Sequence, residues 1–328
     1  MTAVDQPAAQ PAVSRPSFGQ RLTATVAARG RLCVGIDPHP HLLAQWGLPA
    51  DATGLQQFSD ICVEAFGDTV ALVKPQVAFY EAYGSAGYAV LEQTLNALHD
   101  ADALTLADAK RGDIGSTMAA YATAWLADES PLAVDAVTVS PYLGFGALQP
   151  AVDLALAQGR GLFVLAATSN PEGPSVQLAR TGQPGGDGEA GTAQARAVAP
   201  ATVAQSIVDH AAAINTCAHI STVAGDEVPE ANSHQVSTQS DSSHTLGSIG
   251  VVVGATVSNP PNLSQLNGPV LLPGVGAQGG TAEDVARLVP PTAGLAIANV
   301  SRSILQHGPD VAALRQAVAE HQALFPLD

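Results

Sequence analysis

Eight short apolar runs alternate with segments of helical pattern along this 328-residue chain. The runs span 32–36, 71–74, 103–108, 135–139, 161–167, 249–253, 270–272 and 294–298. The helical patterns fall at 55–66, 88–99, 114–126, 146–157, 198–214, 282–288 and 310–321. Runs that are apolar at nearly every position read as strands buried on both faces, and strands separated by helices pair in parallel. Eight such units predict an α/β fold of the (β/α)8 TIM-barrel type. A doubly wound open sheet is the structural alternative, but no GxGxxG follows the first run.

The expected organisation is a disordered leader, 1–17, before one barrel domain, 18–328. Two polar segments interrupt the alternation, at about 181–195 ("TGQPGGDGEAGTAQA") and 217–247, and both read as flexible insertions. The first follows the fifth strand, so it belongs to the face of the barrel that carries chemistry and is a candidate lid. The second lies on the opposite face. It contains His219, His234 and His244, whose spacing does not suggest metal ligands on one element.

Charge narrows the function. The net charge of −16 argues against a nucleic-acid polymer or an anionic membrane as partner. A small anionic substrate would then need a local positive pocket. No run approaches the roughly 18 uninterrupted apolar residues of a membrane span, and the N-terminus lacks the pattern of a signal peptide. Cys33, Cys62 and Cys217 form no CxxC or Cys/His cluster and read as reduced, mostly buried thiols of a cytoplasmic protein.

Of 13 basic residues only Lys74 and Lys110 are lysine, and both end apolar runs. In a barrel, functional groups sit at the C-terminal ends of strands and in the loops that follow. Those ends carry Asp37 in "GIDPHP", Lys74 in "LVKPQ", Asp108 and Lys110 in "ADAKRGD", Ser169 in "AATSNPEG", Gln278 in "LLPGVGAQGG" and Arg302 in "IANVSRS". The last two loops are the usual phosphate site of such barrels: glycines let backbone N–H groups approach an anion, and Arg302 supplies a bidentate fork.

Asp108 and Lys110, two apart on a strand, point to one face. Alone they read equally as a structural ion pair, and Asp113 as the N-cap of the following helix. With Lys74 on the adjacent strand, two lysines and two aspartates can alternate in space, each charge holding its neighbours ionised. A fixed ammonium stabilises a developing carbanion and protonates it. A fixed carboxylate beside a substrate carboxylate favours departure of CO2. The array fits a decarboxylation needing no cofactor and no metal.

"DAKRGDIGST", with "GIDPHP", "VKPQVAFYE", "SPYLGFG", "LAATSNPEG" and "PGVGAQGG", resembles the orotidine 5'-phosphate decarboxylases, the bacterial type 2 branch in particular, over roughly 18–325 outside the insertions. The resemblance implies conversion of orotidine 5'-phosphate to UMP and CO2 in de novo pyrimidine biosynthesis. It implies that Lys110 protonates C6, Asp108 stands beside the substrate carboxylate, and Lys74 orients Asp108 and contacts the ribose. Asp37 and Thr117 would bind ribose hydroxyls, Ser169 the pyrimidine, and Gln278 and Arg302 the phosphate. Asp113 would reach into the neighbouring subunit's site, which implies a homodimer. Two alternatives stand beside this reading. One is a Mg-dependent sugar-phosphate decarboxylase or synthase of the same superfamily, although Lys74 stands where such an enzyme has an acidic ligand. The other is a non-catalytic nucleotide-phosphate binding barrel.

Overall fold

The computed structural model describes residues 15–181, 201–224, 245–276, 278–290 and 293–326. Eight parallel strands follow one another around a closed barrel: β1 (Leu32–Ile36), β2 (Leu72–Pro75), β3 (Leu104–Arg111), β4 (Ala136–Val139), β5 (Gly161–Ala167), β6 (Ile249–Val253), β7 (Gly268–Pro273) and β8 (Gly294–Val300). β8 pairs back onto β1, Cys33 lying opposite Asn299, so the open-sheet alternative does not hold.

The helices form the outer layer. α1 (Phe18–Arg29) precedes the barrel; α2 (Pro40–Gln45) and α3 (Ala52–Phe66) follow β1; α4 (Val77–Glu81) and α5 (Gly84–Asp100) follow β2. α6 (Gly115–Leu126) follows β3, α7 (Gln149–Ala157) follows β4, and α8 (Pro174–Gln177) and α9 (Val203–Ala224) follow β5. α10 (Ala282–Leu288) follows β7, while α11 (Arg302–Leu305) and α12 (Val311–Gln322) follow β8. β6 joins β7 through a loop without a helix.

Strand alternation divides the core in two. Leu72, Leu104, Leu106, Ala136, Phe163, Leu271 and Ile297 pack together inside the barrel. Their chain neighbours Val73, Ala107, Val137, Val164, Leu272 and Ala298 pack outward against the helices. The period of two then decides what lines the mouth. One step beyond the interior residues of β2, β3, β4 and β8 stand Lys74, Asp108, Thr138 and Asn299. Polar groups therefore sit directly on an apolar floor.

α1 is a helix that the apolar pattern did not reveal. Ser17 caps it in a reciprocal box with Gln20, and Phe18, Leu22 and Val26 are buried along one side. They close the N-terminal end of the barrel, Phe18 meeting Phe163 edge-on at 6.0 Å between ring centroids. Burying Phe18 contributes about 1.5–3 kcal/mol. Arg21 ties α1 to Asp135, which also accepts from the Thr105 amide at 2.8 Å. The end of the expected leader is thus part of the fold: Arg15 pairs with Asp128 at 2.8 Å. Residues 1–14 lie outside the described residues.

The second insertion begins later than expected, because α9 runs on to Ala224. His219 falls on this helix, whereas His234 and His244, like 182–195 of the first insertion, lie outside the described residues. Cys33 and Cys62 are buried, but Cys217 is exposed. No described helix is long and apolar enough to cross a membrane.

Candidate active site

A cavity of about 240 Å³ opens at the C-terminal mouth of the barrel. Asp37, Lys74, Asp108, Lys110, Gln278 and Arg302 all line it, together with Gln76, Thr138, Asn299 and Ser301. Leu165, Val252, Leu271, Pro273 and Val275 supply an apolar wall. Three cations face two carboxylates, so an acidic chain carries a locally positive pocket.

The charges alternate along a line. Lys110 Nζ lies 2.6 Å from Asp108 Oδ1, Asp108 Oδ2 lies 3.0 Å from Lys74 Nζ, and Lys74 Nζ lies 4.0 Å from Asp37 Oδ1. Within one chain, Asp37 ends this line. Lys74 is buried, its side chain 4% exposed, and Asp108 nearly so, whereas the Lys110 side chain is 46% exposed. Burial opposes ionisation of Asp108, but the ammonium groups of Lys74 and Lys110 outweigh it and hold the carboxyl well below the usual carboxylate range. Burial likewise opposes the charge on Lys74, and Asp108 and Asp37 outweigh it, raising its pKa above that of an ordinary lysine. Both groups are locked in their charged forms.

Lys110 reaches Asp108 through a break in β3. Between Ala107 and Arg111 the pairing with β4 shifts register, and Lys110 adopts φ 50°. A left-handed conformation is uncommon for a non-glycine residue and marks a place where the surroundings dictate the backbone. Gly112 follows because nothing larger fits: a Cβ there would lie 2.3 Å from the Ser140 carbonyl oxygen. Arg111, facing the other way, pairs with Glu81 and lies over Tyr121 and Trp125.

One end of the cavity centres on Asp37. Its Oδ2 accepts a short hydrogen bond from Ser301 Oγ, and its Oδ1 is buried with no hydrogen bond among the described residues. Asn299 Oδ1 is likewise buried and unpartnered there. Arg302 stands at the start of α11 and forms no ion pair among the described residues. The glycine loop is built differently from expectation. Gly274, Gly276 and Gly279 take φ of 94°, 72° and 87°, which glycine alone adopts readily. The N–H groups of Gly276, Gly279 and Gly280 are spent on carbonyls inside the loop, at 2.9, 2.8 and 3.1 Å. Those amides are therefore not free for a ligand in this arrangement, whereas Arg302 and the exposed Gln278 line the cavity.

Three expected site residues do not line this cavity. Ser169 lines an adjoining hollow of about 230 Å³ and meets Gln278, its Oγ 3.3 Å from Gln278 Oε1. Thr117 is exposed on α6, and Asp113 accepts from the Ile114 amide at 2.8 Å. Asp113 is not the helix N-cap, a position held by Ile114.

The sequence model of the orotidine 5'-phosphate decarboxylase / HUMPS family matches residues 30–317. The chain belongs to this family. An orotidine 5'-phosphate decarboxylase of Corynebacterium efficiens is 55% identical over 310 residues, covering 94% of this chain and 97% of its own. That of Corynebacterium glutamicum is 52% identical over the same length and 98% of its own. A crystal structure from Streptomyces avermitilis, of a protein proposed to have that activity, superposes with a TM-score of 0.80 at 44% identity, covering 97% of this chain and 98% of its own.

Within this member of the orotidine 5'-phosphate decarboxylase / HUMPS family, Gln76, Thr138, Asn299 and Ser301 are site residues that the sequence reading missed. Two signals were available. Thr138 is the one polar residue of an otherwise apolar β4, and Asn299 and Ser301 continue the interior period of Ile297.

Proposed function

We propose that this chain is an orotidine 5'-phosphate decarboxylase, releasing CO2 from C6 of orotidine 5'-phosphate to give UMP. The observation that carries the reading is the alternating line Lys110–Asp108–Lys74–Asp37 in a cavity that also holds Arg302. Close relatives of the same activity over nearly the full chain support it.

Arg302 and Gln278 hold the phosphate, Asp37 and Lys74 the ribose hydroxyls, and Ser169 the pyrimidine. Asp108, kept anionic by two lysines, stands beside the substrate carboxylate. The C6–carboxylate bond breaks with its electron pair left on C6, where the Lys110 ammonium stabilises the developing charge. Lys110 then gives a proton to C6, forming the C6–H bond of UMP, and is reprotonated from solvent through its exposed side. The proton that solvent returns to Lys110 balances the reaction, one being consumed for each CO2 released.

The working enzyme is a homodimer in which Asp113 and Thr117 complete the partner's site. Their place outside their own cavity supports this, as do the exposed Ile114, Tyr142 and Leu143 on the adjoining loops after β3 and β4, 62%, 80% and 54% exposed. Its place is the cytoplasm.

The deciding assay is turnover of orotidine 5'-phosphate by the purified chain after exhaustive EDTA treatment. Undiminished release of CO2 is expected. Activity only on a sugar phosphate with added Mg2+ would overturn the reading in favour of the metal-dependent enzyme, and UMP binding without CO2 release in favour of a binding barrel. The buried ammonium of Lys74 at the end of β2 would repel a cation there.

A further inference from the structure

Thr138 is buried at the end of β4, 1% exposed, on the interior side of the strand. Its Oγ1 lies 2.9 Å from the Lys110 amide nitrogen, 3.0 Å from Asp108 Oδ1 and 3.5 Å from the Ala107 carbonyl oxygen. The amide can only donate, so the hydroxyl oxygen accepts there and its own proton goes elsewhere. Of the two acceptors in reach, Asp108 is nearer and charged, and takes it. One hydroxyl is thus bonded at once to the backbone of Lys110 and to the carboxylate of Asp108.

That joint falls where the chain is most constrained. Lys110 has a left-handed backbone at a register break, and nothing about lysine itself favours φ 50°. The atom that accepts from Thr138, Asp108 Oδ1, is also the one that holds Lys110 Nζ at 2.6 Å. The remainder of the break has its own supports: the Ser140 amide donates to the Arg111 carbonyl at 2.7 Å, and the Arg111 side chain is held by Glu81. Losing the hydroxyl therefore leaves the strand in place and frees only the Lys110–Asp108 pair.

We propose that Thr138 is a positioning residue for the decarboxylation, fixing through one hydroxyl both the backbone of Lys110 and the rotation of Asp108. The inference rests on the roles given above to those two residues. A valine has the same shape without the hydroxyl, and a serine keeps the hydroxyl without the methyl. With the full-length chain and orotidine 5'-phosphate, Thr138→Val should lower kcat about 10- to 100-fold, the scale of one hydrogen bond to a charged group. KM and the affinity for UMP should change by less than about 2-fold, since binding rests on Arg302, Gln278 and Asp37. Thr138→Ser should restore most of kcat, and Thr138→Ala, a second hydroxyl-free variant with no packing clash, should be slow like Thr138→Val.

Wild-type kcat in both hydroxyl-free variants would overturn the proposal. So would a Thr138→Ser variant as slow as Thr138→Val, or a rise in KM matching the fall in kcat. A wild-type chain inactive on orotidine 5'-phosphate would instead overturn the underlying reading and this inference with it.

Discussion

Lys110 and Asp108, two residues apart on β3, meet at 2.6 Å across a break in that strand's pairing. A regular strand would also point both side chains inward, but it would hold their Cα atoms about 6.5 Å apart, side by side. The break and the left-handed Lys110 turn two parallel side chains into a contact. The ammonium is thereby aimed over the carboxylate, while its other side stays open to solvent.

Lys110→Ala should remove the proton donor and leave the phosphate site untouched. Turnover is expected to fall on the order of 10⁴-fold, the upper range for a positioned acid. UMP affinity, measured by calorimetry, should stay within a few-fold of wild type. Undiminished turnover would remove Lys110 from the mechanism.

Lys74→Met should cost stability as well as activity. The side chain is buried, and its loss leaves Asp37 without its cation and Asp108 with one of two. Removing one partner of a buried pair costs about 3 kcal/mol here, the lower end of the usual range because Lys110 and Thr138 still hold Asp108. Urea unfolding midpoints would measure it, and an unchanged midpoint would contradict the burial argument.

Asp108 also predicts a pH dependence. Its pKa is depressed in the folded chain, so its contribution is complete above the unfolded carboxylate pKa and is lost as pH falls below it. Between about pH 5 and pH 3 the wild type should therefore lose more stability than Asp108→Asn. Parallel urea midpoints across that range would show that the carboxylate is not held by its lysines.

Arg302→Ala should act on binding. A charge-assisted hydrogen bond to phosphate is worth about 1.5–3 kcal/mol, so KM should rise about 10- to 100-fold with a smaller change in kcat. The same substitution should matter far less for a substrate lacking the phosphate. Equal losses on both substrates would place Arg302 outside the phosphate site.

Asp113 predicts complementation. Mixed after dissociation and reassociation, Lys110→Ala and Asp113→Ala chains should regain about a quarter of wild-type activity, one intact site in each heterodimer of a random symmetric mixture. Each variant alone should stay near zero. Demonstrated heterodimers without recovery would rule out a shared site.

Local pattern accounts for much of what was legible. β1, β5 and β6 fall at their expected residues, as does α10, because a strand buried on both faces or a short capped helix shows itself in a handful of neighbouring residues. α1 escaped notice although its signals were present, a Ser17–Gln20 capping box and apolar residues at 18, 22 and 26. Its apolar face is narrow and makes sense only once there is a barrel end to close.

The sequence by itself determined the barrel and which charged groups would stand at its mouth, because side-chain alternation is a property of each strand alone. It could not pair Asp37 with Lys74, place Ser301 on Asp37, or find Thr138 between Lys110 and Asp108. Those contacts join residues 37, 28 or 264 positions apart, and they arise from the pairing of β1 with β2, of β3 with β4 and, through closure of the sheet, of β8 with β1. The register break in β3 is likewise decided by its neighbours. The left-handed lysine persists because β4 offers its amide the buried hydroxyl of Thr138, while Asp108 on its own strand holds its ammonium.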